Sequence, residues 1–195
     1  MNKILLDNIS IVNLNVEENS ICNIDKKYNL KELNIIIREN TKLIINHYDE
    51  IEVSDLNIKI KQEINSEFIY NHSFINNNKY NLNINIILDN NDCKNIVNIH
   101  GISDGGISNI KIDGKVSDNT INNELYENIK MLNMNDGKST IIPNMYINTK
   151  NVIANHAASI TDLNKDYLFY MKQKGINNKE SIKLIINGFL ENAAK

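Results

Sequence analysis

Apolar and polar residues alternate one by one over short stretches of this chain. The cleanest case is Asn81-Leu82-Asn83-Ile84-Asn85-Ile86-Ile87-Leu88, where Leu82, Ile84, Ile86 and Leu88 fall on one side of an extended strand. The same period of two recurs from Ile4 to Leu14, Asp55 to Ile60, Ile107 to Ile112 and Tyr146 to Ala154. Clusters such as Asp89-Asn90-Asn91-Asp92 separate the stretches. The pattern predicts many short strands joined by polar turns, which a sandwich, a barrel and a β-helix all satisfy. No strict repeat period is legible, which counts against a simple solenoid. Asn and Ile each make up about a fifth of the chain. Stacked coils suit such a sequence, because asparagines at turns form side-chain ladders and tolerate left-handed backbone.

The period changes near the C-terminus. Leu163, Tyr167 and Met171 are spaced by four, and Gly175 after Lys172 and Lys174 marks a stop, which predicts a short helix from about Asn164. Asn177 with Glu180 three residues on reads as a capping box. Ile182, Ile185, Ile186, Phe189 and Leu190 then form one stripe of a second helix. A helix this short needs tertiary support, so the stripe is expected to pack on the strands or on another protein.

Composition narrows the functional classes. With 195 residues, 42% hydrophobic and 23% charged, the chain suits one domain with a real core. A net charge of -3 and a pI near 5.8 give no field that would neutralise phosphates, so no nucleic-acid partner is expected. The apolar runs are far shorter than the roughly 20 residues that span a bilayer. Asp7 and Asn8 interrupt the apolar start at Ile4-Leu5-Leu6, so a cytoplasmic protein without a membrane partner is expected. Cys22 and Cys93 lie in no CxxC spacing and read as reduced, buried thiols.

Local motifs offer little catalytic chemistry. Asp136-Gly137-Lys138-Ser139-Thr140 imitates the end of a phosphate-binding loop, but Ile141-Ile142-Pro143 follows as strand where that chemistry needs a helix N-terminus. Gly101, Gly105 and Gly106 read as turn glycines. His47, His72, His100 and His156 form no paired metal spacing. His156 shares strand parity with Val152, Ala154, Ala158 and Ile160, which predicts a partly buried histidine.

One ordered run is more specific. Asn155-His156-Ala157-Ala158-Ser159-Ile160, Leu163, Tyr167-Leu168-Phe169-Tyr170-Met171, Lys174-Gly175-Ile176 and Leu184-Ile185-Ile186-Asn187-Gly188-Phe189-Leu190 resemble, in order and spacing, the closing signature of the SufB/SufD family. His100, Ile112-Asp113-Gly114-Lys115-Val116, Asn122-Asn123 and Ile142-Pro143-Asn144-Met145-Tyr146-Ile147 carry the resemblance upstream. It covers about Ile99 to the C-terminus. It implies a mainly β protein, a right-handed parallel β-helix over residues 1–162 with two C-terminal α-helices over 163–195.

It also implies a non-enzymatic scaffold subunit of SUF-type iron-sulfur cluster assembly. That subunit would dock a SufC-like ABC ATPase through Leu168, Phe169, Tyr170, Gly175, Ile176, Ile185 and Phe189, and would pair with a SufB-like sister subunit or with itself. The ATPase would hold the nucleotide, and this chain none. The family histidine falls on His156, which would make a transient contact to iron or to an iron-sulfur cluster. The position taken as the SufB-type cysteine, six residues before Pro143, is Gly137, which makes the chain SufD-like or leaves it a β-helical interaction module without cluster chemistry. A β-helical carbohydrate lyase, the enzymatic alternative, would need a groove of clustered acidic or basic residues, and none is legible.

Overall fold

A computed structural model describes residues 1–4, 10–24 and 30–191. Eleven strands are present among them: β1 (Asn2–Ile4), β2 (Ile11–Val16), β3 (Ser20–Ile24), β4 (Glu32–Ile37), β5 (Lys42–Gln62), β6 (Glu67–Leu88), β7 (Lys94–Asp104), β8 (Ile107–Val116), β9 (Asn123–Met134), β10 (Lys138–Ile147) and β11 (Val152–Asp162). Two helices follow, α1 (Lys165–Gln173) and α2 (Asn178–Glu191). Every strand pair is parallel, and the strands stack in two columns. One column runs β1, β3, β5, β6, β7, β9, β11. The other runs β2, β4, β5, β6, β8, β10, with the long strands β5 and β6 contributing a half to each. The chain is therefore a β-helix of about five turns, with a helical pair at its C-terminus packed on one outer face.

The coils lengthen along the chain, which hides the repeat from a fixed-period reading. Asn34 donates to Asn13, 21 residues back, whereas Asn144 donates to Asp113, 31 residues back. Inward positions of each strand are buried and outward ones are not, as the alternation Leu82, Ile84, Ile86, Leu88 predicts. The interior is apolar, with an aromatic stack of Phe68, Tyr70, His72 and Phe74 on β6 and Tyr80 edge-on to Phe74 at 4.8 Å.

Asparagine does two jobs. Outside the sheet, Asn46, Asn71, Asn98 and Asn128 each donate to the residue one coil back, starting from Asn23, at 2.9–3.1 Å. At one corner Asn40, Asn65, Asp92 and Asn122 all have φ between 54° and 58°, the left-handed region that Asn and Asp enter most cheaply. The strand expected from Tyr146 to Ala154 is two strands: β10 ends at Ile147, and the chain turns through 148–151 before β11. In the alternation from Ile4 to Leu14, residues 5–9 lie outside the described residues, as does the Asp7-Asn8 break.

Both helices start, and α1 stops, close to where the sequence predicts. Asn164 caps α1 by accepting from the Asp166 N–H at 2.8 Å. Gly175, at φ 84°, turns the chain out, and the Ile176 N–H reaches back to the Met171 carbonyl. Asn177 accepts from the Glu180 N–H at 2.9 Å, one half of the capping box, while the Glu180 carboxylate accepts from the Asn177 side-chain amide and not from its backbone N–H. Leu190 of α2 joins Ile102, Leu132 and Met134 in a second small core outside the β-helix, with Ile182, Ile185, Ile186 and Phe189 packed against it.

Candidate functional site

The last coil has nothing stacked on it among the described residues. β10 pairs only with β8 and β11 only with β9, so two strands of ten and eleven residues each keep one free edge. Pro143 fits such an edge, where its missing N–H costs no ladder bond. Ile141 and Met145 of β10 and Val152 of β11 pack on the core from above and stay partly exposed.

His156 stands on this open end. Its register column runs Cys22, Ile45, Tyr70, Val97, Glu127, His156, one residue per coil. Cys22, Ile45, Tyr70, Val97 and Glu127 are all 0% exposed. His156 therefore has the inward parity read from Val152, Ala154, Ala158 and Ile160. It is exposed all the same, which corrects the expected partial burial. The reason is positional: inward parity buries a side chain only when another coil lies above it.

Directly beneath is Glu127, which the sequence reading passed over. Both of its carboxyl oxygens are buried with no hydrogen-bond partner, and its Oε1 lies 2.7 Å from where a Cβ on Gly114 would be. Glycine at 114 thus makes the space the carboxyl occupies. Burial, with a smaller push from Asp113, raises the Glu127 pKa to about 8. The signal was present in the sequence, because Glu127 shares parity with Leu125, Ile129 and Met131, so the alternation carries a charge on its inward side.

The other candidates fall elsewhere. Cys22 and Cys93 are buried free thiols, and burial raises the pKa of both, that of Cys22 to about 11. His47 and His72, 25 residues apart, lie with ring centroids 4.3 Å apart and tilted by 33°, a proximity no short spacing could reveal. His72 donates from Nδ1 to the His47 carbonyl and accepts from the Tyr80 hydroxyl at Nε2; burial, then the neighbouring His47, holds its pKa well below the usual value. His100 donates from Nδ1 to the Phe189 carbonyl at 2.8 Å, and Ser73 donates to the Leu190 carbonyl, so both fasten α2 to the sheet. Lys138 opens strand β10 rather than a helix, in keeping with the rejected phosphate loop. No three His, Cys, Asp or Glu side chains among the described residues are grouped to hold a metal ion.

The helical candidates divide by exposure. On α1, Tyr167, Phe169 and Tyr170 are 64%, 64% and 59% exposed, while Leu168 and Met171 are half-buried, as is Ile176 in the turn that follows. On α2, Ile185 and Phe189 pack against the second core, and Leu184 faces out. Gly175 sits in the exposed turn between the helices. No helix among the described residues is long and apolar enough to cross a membrane.

Compared with known proteins, residues 9–189 match the family model described as SUF system FeS cluster assembly, SufBD core domain. A curated relative, the iron-sulfur cluster assembly SufBD family protein ycf24 of Galdieria sulphuraria, is 36% identical over 55 residues, which are 28% of this chain and 25% of that protein. The matched stretch thus covers about a quarter of that relative's length.

Proposed function

The chain belongs to the SufB/SufD family of iron-sulfur cluster assembly proteins, and from that premise we propose that it is a non-catalytic scaffold subunit whose helices dock a SufC-like ABC ATPase. The observation that carries this reading is the aromatic face of α1. Tyr167, Phe169 and Tyr170 stand exposed together on a helix that the neighbouring α2, itself fastened to the sheet, holds in place. Exposed aromatics on a supported element are the usual anchors of protein interfaces. The nucleotide belongs to the ATPase, and the division between coil stack and docking segment falls after Asp162, where β11 ends.

The open end supports pairing. Two free parallel edges flanked by partly exposed Ile141, Met145 and Val152 are a surface that a second copy or a SufB-like sister would cover. His156 would then lie at the junction, where a neutral imidazole suits a labile contact to iron or to a cluster carried as cargo. A cytoplasmic site of action goes with this reading. The burial of both thiols favours a second reading, in which the chain lends only its assembly surface while the sister supplies sulfur ligation. Iron bound by the purified chain and lost in His156→Ala would exclude that second reading.

Docking is tested by pull-down of a SufC-like ABC ATPase with the purified chain. Phe169→Ala with Tyr170→Ala is expected to weaken capture by about 30-fold, the equivalent of roughly 2 kcal/mol for a hot-spot pair. Phe189→Ala is expected to act first on stability, because that ring packs inside the chain. Capture unchanged by the α1 double variant would end the docking proposal.

A further inference from the structure

Among the described residues, four buried side chains leave polar atoms without a partner: His47 at Nε2, Asn95 at Oδ1, Asn123 at Nδ2 and Glu127 at both oxygens. His47 has Asp49 at 3.7 Å, and Asn95 and Asn123 make other hydrogen bonds in the corner. Glu127 has none. A carboxyl group taken wholly out of water without one hydrogen bond is among the costliest residues a core can hold, and such a group in a native fold calls for a cation or another missing partner.

Its place in the fold says which. Glu127 is the Cα partner of His156, on neighbouring parallel strands in the last two coils, and both have inward parity in the same column. Side chains so placed leave the backbone in the same direction, one strand spacing apart, about 4.8 Å. An imidazole and a carboxylate at that separation can meet one ion, since each ligand bond is about 2.0–2.2 Å and both side chains have rotatable reach. Ala154 and Ala158 keep the inward row small on either side of His156, while across the core the Glu127 carboxyl rests in the space left by Gly114, with Met145 stacked above that glycine, so the carboxyl meets the ion by turning about its own side-chain torsions. The ion would gain the one carboxylate in the column.

We propose that Glu127 is a second iron ligand, turning up from its place against Gly114 to share a ferrous ion with His156 at the open end of the β-helix. This rests on the reading of His156 as an iron contact and adds to it a specific, oxygen-donating partner. One imidazole and one carboxylate are an incomplete set, so the remaining positions fall to water, sulfide or the subunit that covers the end. An oxygen and nitrogen pair selects ferrous iron or its analogues manganese and cobalt over the softer metals that thiolates favour.

The test is anaerobic titration of the purified chain with ferrous ion, and with cobalt(II) followed by its visible absorption. The chains compared are wild type, Glu127→Gln, His156→Ala and the double variant. Glutamine keeps the size of the side chain and removes only the charge, and circular dichroism checks the fold. The expected result is that each single variant weakens binding by 10-fold or more, that the cobalt spectrum changes in Glu127→Gln, and that the double variant is little worse than His156→Ala. Wild-type affinity and spectrum in Glu127→Gln, with loss in His156→Ala, would overturn the role of Glu127 and leave the His156 reading standing. No change in either single variant would overturn both. Loss in Glu127→Gln alone would break the pair, because the ion would then not be shared with His156.

Discussion

Gly137→Cys is expected to cost about 3 kcal/mol of stability, because a side chain at this turn meets backbone rather than a movable neighbour. A Cβ at residue 137 would lie 2.0 Å from the Ser103 carbonyl oxygen, 2.6 Å from its carbon and 2.9 Å from the Met134 carbonyl oxygen. Ser103 cannot give way freely. It is buried on β7, and its hydroxyl is bonded to those of Ser108 and Ser139, the latter donating to Asn133. Adding a Cβ therefore means prising two coils apart at their corner. For a chain of this length the melting temperature should fall by about 6–12 °C. Gly188→Ala is the control, since a Cβ there meets nothing within 4 Å and an exposed helical glycine replaced by alanine should gain about 0.5–1 kcal/mol. Calorimetric scans of the three proteins decide it, and a Gly137→Cys protein as stable as wild type would refute the steric argument. The consequence is functional as well. Residue 137 is where the resemblance sets a sulfur-holding thiol, and this backbone leaves no room to put one back by a single change.

What the sequence made legible follows from how local each signal is. The helix ends depend on residues close in sequence, and Gly175 ends α1 and Asn177 caps α2 as read. Strand alternation is likewise local, and Leu82 to Leu88 face inward as read. Stacking is not local. A partner 21 residues away at one end of the β-helix and 31 at the other leaves no constant period to find, so the coil architecture was reached through a family resemblance and not through a repeat. The turn between β10 and β11 was passed over although Asn148-Thr149-Lys150-Asn151, four polar residues in a row, breaks the alternation there.

The site divides in the same way. Parity placed His156 on the inward side, which is a property of its own strand. Whether that side is covered depends on a coil that would come after β11, and no residue near His156 encodes it. The meeting of His47 with His72 needs the register between β5 and β6, and the pairing of His156 with Glu127 needs that between β9 and β11. Glu127 itself was legible as a charge among Leu125, Ile129 and Met131. An alternation search counts the apolar residues that fit and passes over the polar one that does not. The misfit was the more informative of the two, as expected where a site violates the local rule.

Glu127→Gln is expected to stabilise the metal-free protein at neutral and mildly alkaline pH while weakening its hold on iron. Glu127 has a folded pKa raised from 4.5 to about 8, so between those values the folded state keeps a proton that the unfolded chain has lost. Its contribution is fully present below pH 4.5 and is lost as pH rises towards 8, at up to about 1.4 kcal/mol per pH unit. His72 and His100 act in the opposite sense. Their folded pKa values are lowered by burial from 6.5, so their stabilising effect is present above 6.5 and is lost as pH falls below it. Wild-type stability should thus fall from pH 6.5 to 8 with Glu127 alone responsible, by about 2 kcal/mol. Glutamine does not ionise, so the variant should hold its stability across that window and melt well above wild type at pH 8. Urea denaturation at pH 6.5, 7 and 8 measures this, and parallel curves for the two proteins would show that the carboxyl carries no such penalty. Ferrous ion should reverse the order, adding stability to wild type by occupying its unpartnered oxygens and adding less to Glu127→Gln. A residue that weakens the empty fold and strengthens the loaded one is kept for its ligand, because packing alone would have replaced it.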